Sequence, residues 1–134
     1  MTDPNSHNQQ VIAAFRSNGG KVDEGRPLLL LTTTGAKSGN LHTTPVMYLA
    51  EGDRVFVFAS RGGAPTNPDW YRNLTANPSV TVELGGETFT ATACPLPEPE
   101  RSRLYSEQAK RYPNFAEYQA KTTRPIPVVE LQRQ

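Results

Sequence analysis

Two short segments of this 134-residue chain carry residue types whose spacing could support ligand chemistry. Segment 32–39, Thr-Thr-Thr-Gly-Ala-Lys-Ser-Gly, combines glycines, hydroxyls and one lysine after an apolar run. Glycines let backbone N–H groups approach an anion closely, and Lys37 supplies the opposite charge. Segment 67–74 places an aromatic pair and an arginine after an Asn-Pro-Asp helix start. Together the segments predict an anion-binding turn beside an aromatic wall, which suits a flat, phosphorylated ligand.

The candidate side chains in these segments also have ordinary structural interpretations. On spacing alone, a solvated turn lysine is favoured for Lys37. Ser60 ends an apolar strand, so its hydroxyl either bonds to backbone or faces a ligand. Trp70 and Tyr71 are adjacent on a short helix and must point in different directions. One ring is expected in the core. The other either stacks on the ring system of a bound ligand or covers one end of the fold.

Further candidates lie outside the two segments or at their margins. Arg61 and Arg72 are either solvated or extend a positive rim for a polyanionic tail. Tyr112, Phe115 and Tyr118 are spaced by three, which places them near one helical face. An aromatic seam packed on the barrel is the default interpretation of this run, and a lid with phenolic hydroxyls over a pocket is the functional one.

Several chemistries have little support in the composition. The net charge of +1 gives no electrostatic case for nucleic acid. His7 and His42 are the only histidines, so neither a metal site nor a Ser-His-Asp arrangement is predicted. The turn around Lys37 resembles the tail of a phosphate-binding P-loop, but a strand rather than a helix follows it. An enzyme this poor in acid–base groups needs a cofactor to carry the difficult chemistry.

Cysteine usage and hydropathy indicate the compartment. The single cysteine, Cys94, cannot form an internal disulfide, which favours a reducing, cytoplasmic location. The N-terminal residues lack the apolar core of a signal peptide, and the apolar run 28–31 is far shorter than a membrane helix. Peripheral contact with the inner face of the plasma membrane and formation of a homodimer are left open.

The periodicity predicts one domain over residues 1–134, with a mobile segment at 1–8. A first helix carries Val11, Ile12 and Phe15 and stops at Gly19-Gly20. The pattern then predicts strands at 28–34, 42–49, 55–60, 80–84, 87–94 and 128–131, and helices at 69–76, 98–112 and 115–122. The strand 55–60 is expected to be central, and the last strand is placed at an edge because prolines precede it. A mostly β (α+β) barrel of about six mainly antiparallel strands with short flanking helices is the expected outcome.

In these motifs the chain resembles the deazaflavin-dependent nitroreductase family of actinobacteria. The resemblance runs from about residue 28 to 131. It is carried by Thr-Thr-Gly-Ala-Lys-Ser-Gly at 33–39, Pro45, Ser-Arg-Gly-Gly at 60–63, the block 67–78, Tyr-Pro-Asn-Phe at 112–115 with Tyr118, and Arg-Pro-Ile-Pro-Val at 124–128. It implies a split β-barrel of the FMN-binding-like type that uses the 8-hydroxy-5-deazaflavin coenzyme F-420.

The resemblance also implies roles for individual residues. The tail of the coenzyme would be held by Ala36, Lys37 and Ser38. The cofactor groove would be lined by His42, Thr43, Thr44, Pro45, Val46 and Met47. Phe58, Ala59, Ser60 and Arg61 would border the rings, and the helix with Asp69, Trp70, Tyr71, Arg72 and Asn73 would close the other side. The acceptor pocket would be lined by Tyr112, Phe115 and Tyr118, with Ser60 and Tyr112 as candidate catalytic hydroxyls.

The implied activity is transfer of a hydride from the reduced deazaflavin to a quinone or a nitro compound. Two departures from the family pattern reduce positive charge at the tail site: Ala36 stands where a second basic residue is common, and His42 where arginine is common. Phe115 replaces a tyrosine of some members. The alternatives are an FMN-binding split-barrel oxidoreductase and a non-catalytic carrier of F-420.

Overall fold

A computed structural model describes residues 4–17 and 27–134 of the chain. Within these residues the helices are α1 (Pro4–Ser17), α2 (Asp69–Ala76), α3 (Glu100–Arg111) and α4 (Asn114–Lys121). The strands are β1 (Leu28–Thr34), β2 (Leu41–Glu51), β3 (Arg54–Phe58), β4 (Ser79–Leu84), β5 (Glu87–Pro95) and β6 (Val128–Arg133). A 3-10 turn covers Arg61–Gly63.

The strands close into an antiparallel barrel in the order β1-β2-β3-β6-β5-β4. The predicted fold class is therefore confirmed. The barrel interior holds alternate residues of β1, β3, β4, β5 and β6, and α2 covers it with Trp70 and Leu74. A second apolar cluster joins α3 and α4 to the outer face of β3 and β6. Since β3 is buried on both faces, its predicted central position is also confirmed.

The prediction that the last strand lies at an edge is wrong. β6 pairs with β3 on one side and with β5 on the other. The prolines that suggested an edge, Pro125 and Pro127, precede the strand. Proline destabilises a central strand by removing a ladder hydrogen bond, and no such bond is lost when it lies before the strand begins.

The start of α2 differs from the expected side-chain cap. Pro68 occupies the N-cap position and no side chain caps the helix. Asp69 instead lies in the first turn, where its charge complements the helix dipole, and the Asn67 side chain accepts a hydrogen bond from Arg124.

The N-terminal predictions fall partly outside the described residues. Residues 4–8 of the segment expected to be mobile belong to α1, while residues 1–3 and the Gly19-Gly20 stop lie outside the described ranges. Phe15 of α1 is buried as its helical spacing predicted. No helix in the described part of the chain is long and apolar enough to span a membrane.

Candidate functional site

The glycine-rich turn between β1 and β2 is held by an amide from α2. Asn73 Oδ1 accepts the Ala36 N–H at 3.0 Å, and Asn73 Nδ2 donates to Thr33 Oγ1 at 3.2 Å. Gly35 and Gly39 N–H donate to carbonyl oxygens within the turn. Within the described part of the chain this leaves the Lys37 and Ser38 N–H groups available to a ligand. The Ala36 N–H, expected to face the anionic tail, is used to shape the turn.

Gly35 leaves room for the side chains of Ser38 and His42 at this turn. A Cβ placed there would lie 2.6 Å from Ser38 Oγ and 3.1 Å from His42 Nε2. The approach to Ser38 is closer than van der Waals contact allows, so the Ser38 hydroxyl, which accepts a hydrogen bond from the Asn40 N–H, would have to shift. The glycine therefore lets the hydroxyl and imidazole come together beside Lys37.

A groove of about 950 Å³ runs between this turn, the start of β2 and α2. Predicted site residues that line it are Ala36, Lys37, Ser38, His42, Thr43, Thr44, Arg61, Asp69, Trp70, Arg72 and Asn73. Among the described residues of its lining, Lys37, Arg61 and Arg72 carry permanent positive charge and Asp69 carries the negative one. Asp69 pairs with Arg72 at 2.7 Å. The remaining excess of positive charge suits a polyanion.

A smaller groove of about 220 Å³ adjoins the first and shares with it Thr44, Arg61, Pro68 and Trp70. Predicted site residues that line it are Thr44, Pro45, Val46, Met47, Phe58, Ser60, Arg61, Trp70, Phe115 and Tyr118. Its lining combines apolar residues with the polar residues Thr44, Ser60, Arg61 and Tyr118. Ser60 is the N-cap of the 3-10 turn, yet its side chain makes no capping hydrogen bond, which agrees with a hydroxyl that faces a ligand.

Three predicted site residues line neither groove. Ala59 is fully buried, and its N–H donates to Pro127 O within the barrel. Tyr71 packs against the barrel core, next to Trp70, so both members of the aromatic pair contact apolar surface. Tyr112 ends α3 as its C-cap and packs against the α3–α4 cluster. The structure therefore does not bring Tyr112 to the grooves with Ser60.

The aromatic run of α4 forms a packed seam and also reaches the smaller groove. Phe115 makes edge-to-face contacts with Phe58, Tyr105 and Tyr118 at centroid distances of 5.3–6.1 Å. Tyr105 Oη donates to Phe115 O at 2.6 Å, and burial raises the pKa of Tyr105 to about 12. The seam thus fixes the position of Phe115 and Tyr118 at the groove.

Arg124 holds the loop 59–67 that borders both grooves. Its guanidinium donates to Ala64 O (3.0 Å), Ala59 O (3.2 Å), Ser60 O (3.0 Å) and Asn67 Oδ1 (2.8 Å). Burial lowers the pKa of Arg124 below its ordinary value, and arginine keeps its charge in proteins.

The segment that follows Ser60 in this loop is strained. Arg61 has φ of 47°, a positive value rarely adopted outside glycine, and two glycines with positive φ follow it. The hydrogen bonds from Arg124 to the carbonyls on either side of Arg61 hold this conformation.

Several groove residues were not predicted from the sequence. Gln9 and Ile12 of α1, Leu41, Pro68 and Gly62 complete the linings. The helical spacing of Ile12 predicted that it lies on the apolar face of α1, but this spacing did not indicate that α1 lies near the turn between β1 and β2. Arg124 belonged to a recognised motif, yet its partners lie about 60 residues away in the chain, and local patterns do not show them.

The fold and the paired grooves define a split-barrel protein of the kind that binds a flavin-like coenzyme. A profile of the F-420H(2)-dependent quinone reductase family matches residues 7–133. The Mycobacterium tuberculosis protein named F-420H(2)-dependent quinone reductase Rv1261c is 41% identical over 131 residues, covering 90% of this chain and 86% of that protein.

Two solved structures extend the likeness to the fold. One, described as an F-420-H2 dependent reductase (FDR-A), has a TM-score of 0.73 and 42% identity over 80% of this chain and 95% of its own. The other, described as a domain-swapped dimer, has a TM-score of 0.75 and 36% identity over 97% of this chain and 100% of its own. The chain belongs to the F-420H(2)-dependent quinone reductase family.

Proposed function

We propose that this reductase binds the anionic tail of coenzyme F-420 in the larger groove and its electron acceptor in the smaller one. The observation that carries this assignment is the junction of the two grooves at Thr44, Arg61, Pro68 and Trp70. A flat ring system at the junction would touch both compartments, with its charged tail on one side and the acceptor on the other.

The larger groove fits a polyanionic tail. Lys37 and the exposed N–H groups of the turn offer charge and directed hydrogen bonds, and Arg61 and Arg72 extend the positive rim. Asn73 also lines this groove, and its amide supports the turn by accepting a hydrogen bond from the Ala36 N–H. The reduced coenzyme, when bound, supplies the hydride.

The smaller groove suits an electron-poor, flat acceptor such as a quinone. Pro45, Met47, Phe58 and Phe115 offer apolar contact, which excludes water from the reacting atoms. Ser60 lies at the groove with its hydroxyl uncommitted to capping. This hydroxyl donates a hydrogen bond to the acceptor oxygen as negative charge develops there, and water supplies the final proton.

Titration with F-420 and FMN side by side tests the assignment of the coenzyme. Trp70 is the only tryptophan of the chain and lines both grooves, so its fluorescence reports occupancy directly. We expect quenching by F-420 at lower concentration than by FMN. Tighter binding of FMN would support the FMN-binding alternative. Tight F-420 binding without turnover of any quinone would support the carrier alternative.

Replacement of Ser60 by alanine tests the acceptor side. We expect hydride transfer in a single turnover to slow by roughly 10²-fold, the usual effect of removing one such donor, with little change in the Kd for F-420. Equal losses in affinity and rate would make Ser60 a coenzyme-binding residue instead. Reduction of nitro compounds is a further prediction, measured with the same assay.

Assembly and location are secondary proposals. A homodimer is supported by the similar chain described as a domain-swapped dimer, and sedimentation equilibrium measures it. A cytoplasmic location rests on the single cysteine. Peripheral contact with a membrane stays a prediction, which flotation with anionic lipid vesicles tests.

A further inference from the structure

A hydrogen-bonded pair on α4 lies at the edge of the smaller groove. Asn114 Nδ2 donates to Tyr118 Oη at 2.8 Å. The two residues are four positions apart in α4, so their side chains meet on one face of the helix. Both are half-buried, and Tyr118 lines the groove while Asn114 lies behind it.

The direction of this hydrogen bond decides what the Tyr118 hydroxyl can do. An amide nitrogen has protons to donate and no lone pair to accept with, so the phenolic oxygen is the acceptor here. The hydroxyl has a single proton, which therefore remains available to another acceptor. Asn114 therefore leaves the proton of the Tyr118 hydroxyl free for an acceptor other than Asn114.

The Tyr118 ring itself has little freedom. Phe115 packs edge-to-face against it at 5.3 Å between centroids. Gly63 of the loop 59–67 packs directly against the backbone of Tyr118. The contact is so close that a Cβ at position 63 would lie 2.8 Å from Tyr118 O. Because ring, backbone and one side of the oxygen are all fixed, the donor is oriented before an acceptor arrives.

We propose that Asn114 is a positioning residue for acceptor reduction, which reserves the Tyr118 proton for a carbonyl or nitro oxygen in the smaller groove. This inference rests on the proposed function, because it requires the acceptor to enter that groove. The acceptor gains two electrons and one proton as the hydride, and negative charge grows on its oxygen. Tyr118 shares its proton in a hydrogen bond and keeps it, and water supplies the proton that completes the hydroquinone.

The decisive variant is Asn114→Asp. A carboxylate of the same size can only accept hydrogen bonds. The Tyr118 hydroxyl then donates to this carboxylate and turns away from the electron acceptor. We expect the kcat for a simple naphthoquinone to fall about 10²-fold, as expected for one lost donor, and to match Tyr118→Phe. Asn114→Ala should lose less, because Tyr118 then keeps its proton and is only free to rotate.

Controls separate positioning from packing and from charge. Aspartate is favourable in the first turn of a helix, so Tm should be retained. Ala116→Asp adds the same charge at an exposed position in that turn and should keep the wild-type kcat. In the Tyr118→Phe background, Asn114→Asp should cause no further loss.

A binding measurement without coenzyme gives a second readout. Quenching of Trp70 by the naphthoquinone should require several-fold more quinone in Asn114→Asp and in Tyr118→Phe, but not in Ala116→Asp. The Kd for F-420 should be unchanged in all three variants.

Three results would overturn the inference alone, and a fourth would overturn the proposed function with it. An active Asn114→Asp variant would mean that Tyr118 donates to Asn114. A larger loss for Asn114→Ala than for Asn114→Asp would indicate packing alone, and multiplied losses in the double variant would make the residues independent. Wild-type protein without F-420 binding or quinone turnover would overturn the proposed function and this inference together.

Discussion

The hydrogen bonds from Arg124 to the loop 59–67, here called the Arg124 clamp, allow the stability loss of a variant to be predicted from the contacts that it removes. Arg124→Gln removes the hydrogen bonds to the loop 59–67 while keeping a polar side chain. The carbonyl of Ala59 is buried and would lose its partner, at a cost of about 1–3 kcal/mol. Ser60, Ala64 and Asn67 are only half-buried, so water can replace the guanidinium there and each loss is worth about 0.5–1 kcal/mol. The total is about 4 kcal/mol in the free energy of unfolding, within a range of roughly 2.5–6 kcal/mol.

Thermal and denaturant unfolding measure this effect. For a chain of this size, about 4 kcal/mol corresponds to a fall in Tm of roughly 15 °C. Arg124→Lys keeps the charge but not the planar fork, so less than half of the loss should be recovered. Arg111→Gln, at an exposed arginine of α3, is the matched control and should change stability by less than about 0.5 kcal/mol.

The same variants connect the clamp to the site. The loop carries Ser60 and the strained Arg61, so Arg124→Gln should also weaken binding of F-420. Full stability in Arg124→Lys would show that charge, not fork geometry, holds the loop. A loss below about 1 kcal/mol in Arg124→Gln would show that the loop keeps its conformation without the clamp.

The remaining predictions concern charge and burial elsewhere. Lys37→Ala should weaken F-420 binding about ten-fold at low salt, and the difference should shrink as salt rises, by fluorescence titration; equal Kd values at low salt would contradict the tail assignment. Gln108 is fully buried and its amide has no partner within the described residues, so Gln108→Met should raise stability by about 1 kcal/mol in urea unfolding. Arg54 lowers the pKa of Glu130 through a hydrogen bond. This stabilisation is complete above the ordinary glutamate pKa of about 4.3 and is lost as pH falls through the lower folded value, whereas Glu130→Gln should flatten that part of the stability–pH curve.

Most of the barrel could be predicted because its signals are local. Alternation marks β4, an apolar run marks β1, and short turns join β1 to β2, β2 to β3 and β4 to β5. The bounds of α2 were predicted at 69–76, where proline-containing segments flank both ends. β6 was misplaced because prolines near a strand were weighed as if they were inside it.

The site was less predictable because its geometry depends on contacts between distant residues. Asn73 lines the larger groove, and its amide also shapes a turn 37 residues away in the chain, which no sequence pattern indicated. Arg124 and Asn67 meet across 57 positions, and Asn114 acts through Tyr118. Sequence patterns identified the residue types at the site. They did not show which hydrogen-bond donors and acceptors pair with each other inside the protein.

The strand that closes the barrel is the last one in the described chain, and this order has a consequence for biosynthesis. β3 and β5 each lack one neighbouring strand until β6 pairs with both of them. Glu130 of β6 lies opposite Phe56 of β3 on one side and opposite Cys94 of β5 on the other. A chain growing on the ribosome therefore carries two unsatisfied sheet edges until residues 128–133 emerge from the exit tunnel. Because exposed edges recruit other strands, stalled or nonsense-truncated chains that end before residue 128 should aggregate or require chaperones, even though every groove residue has already been translated.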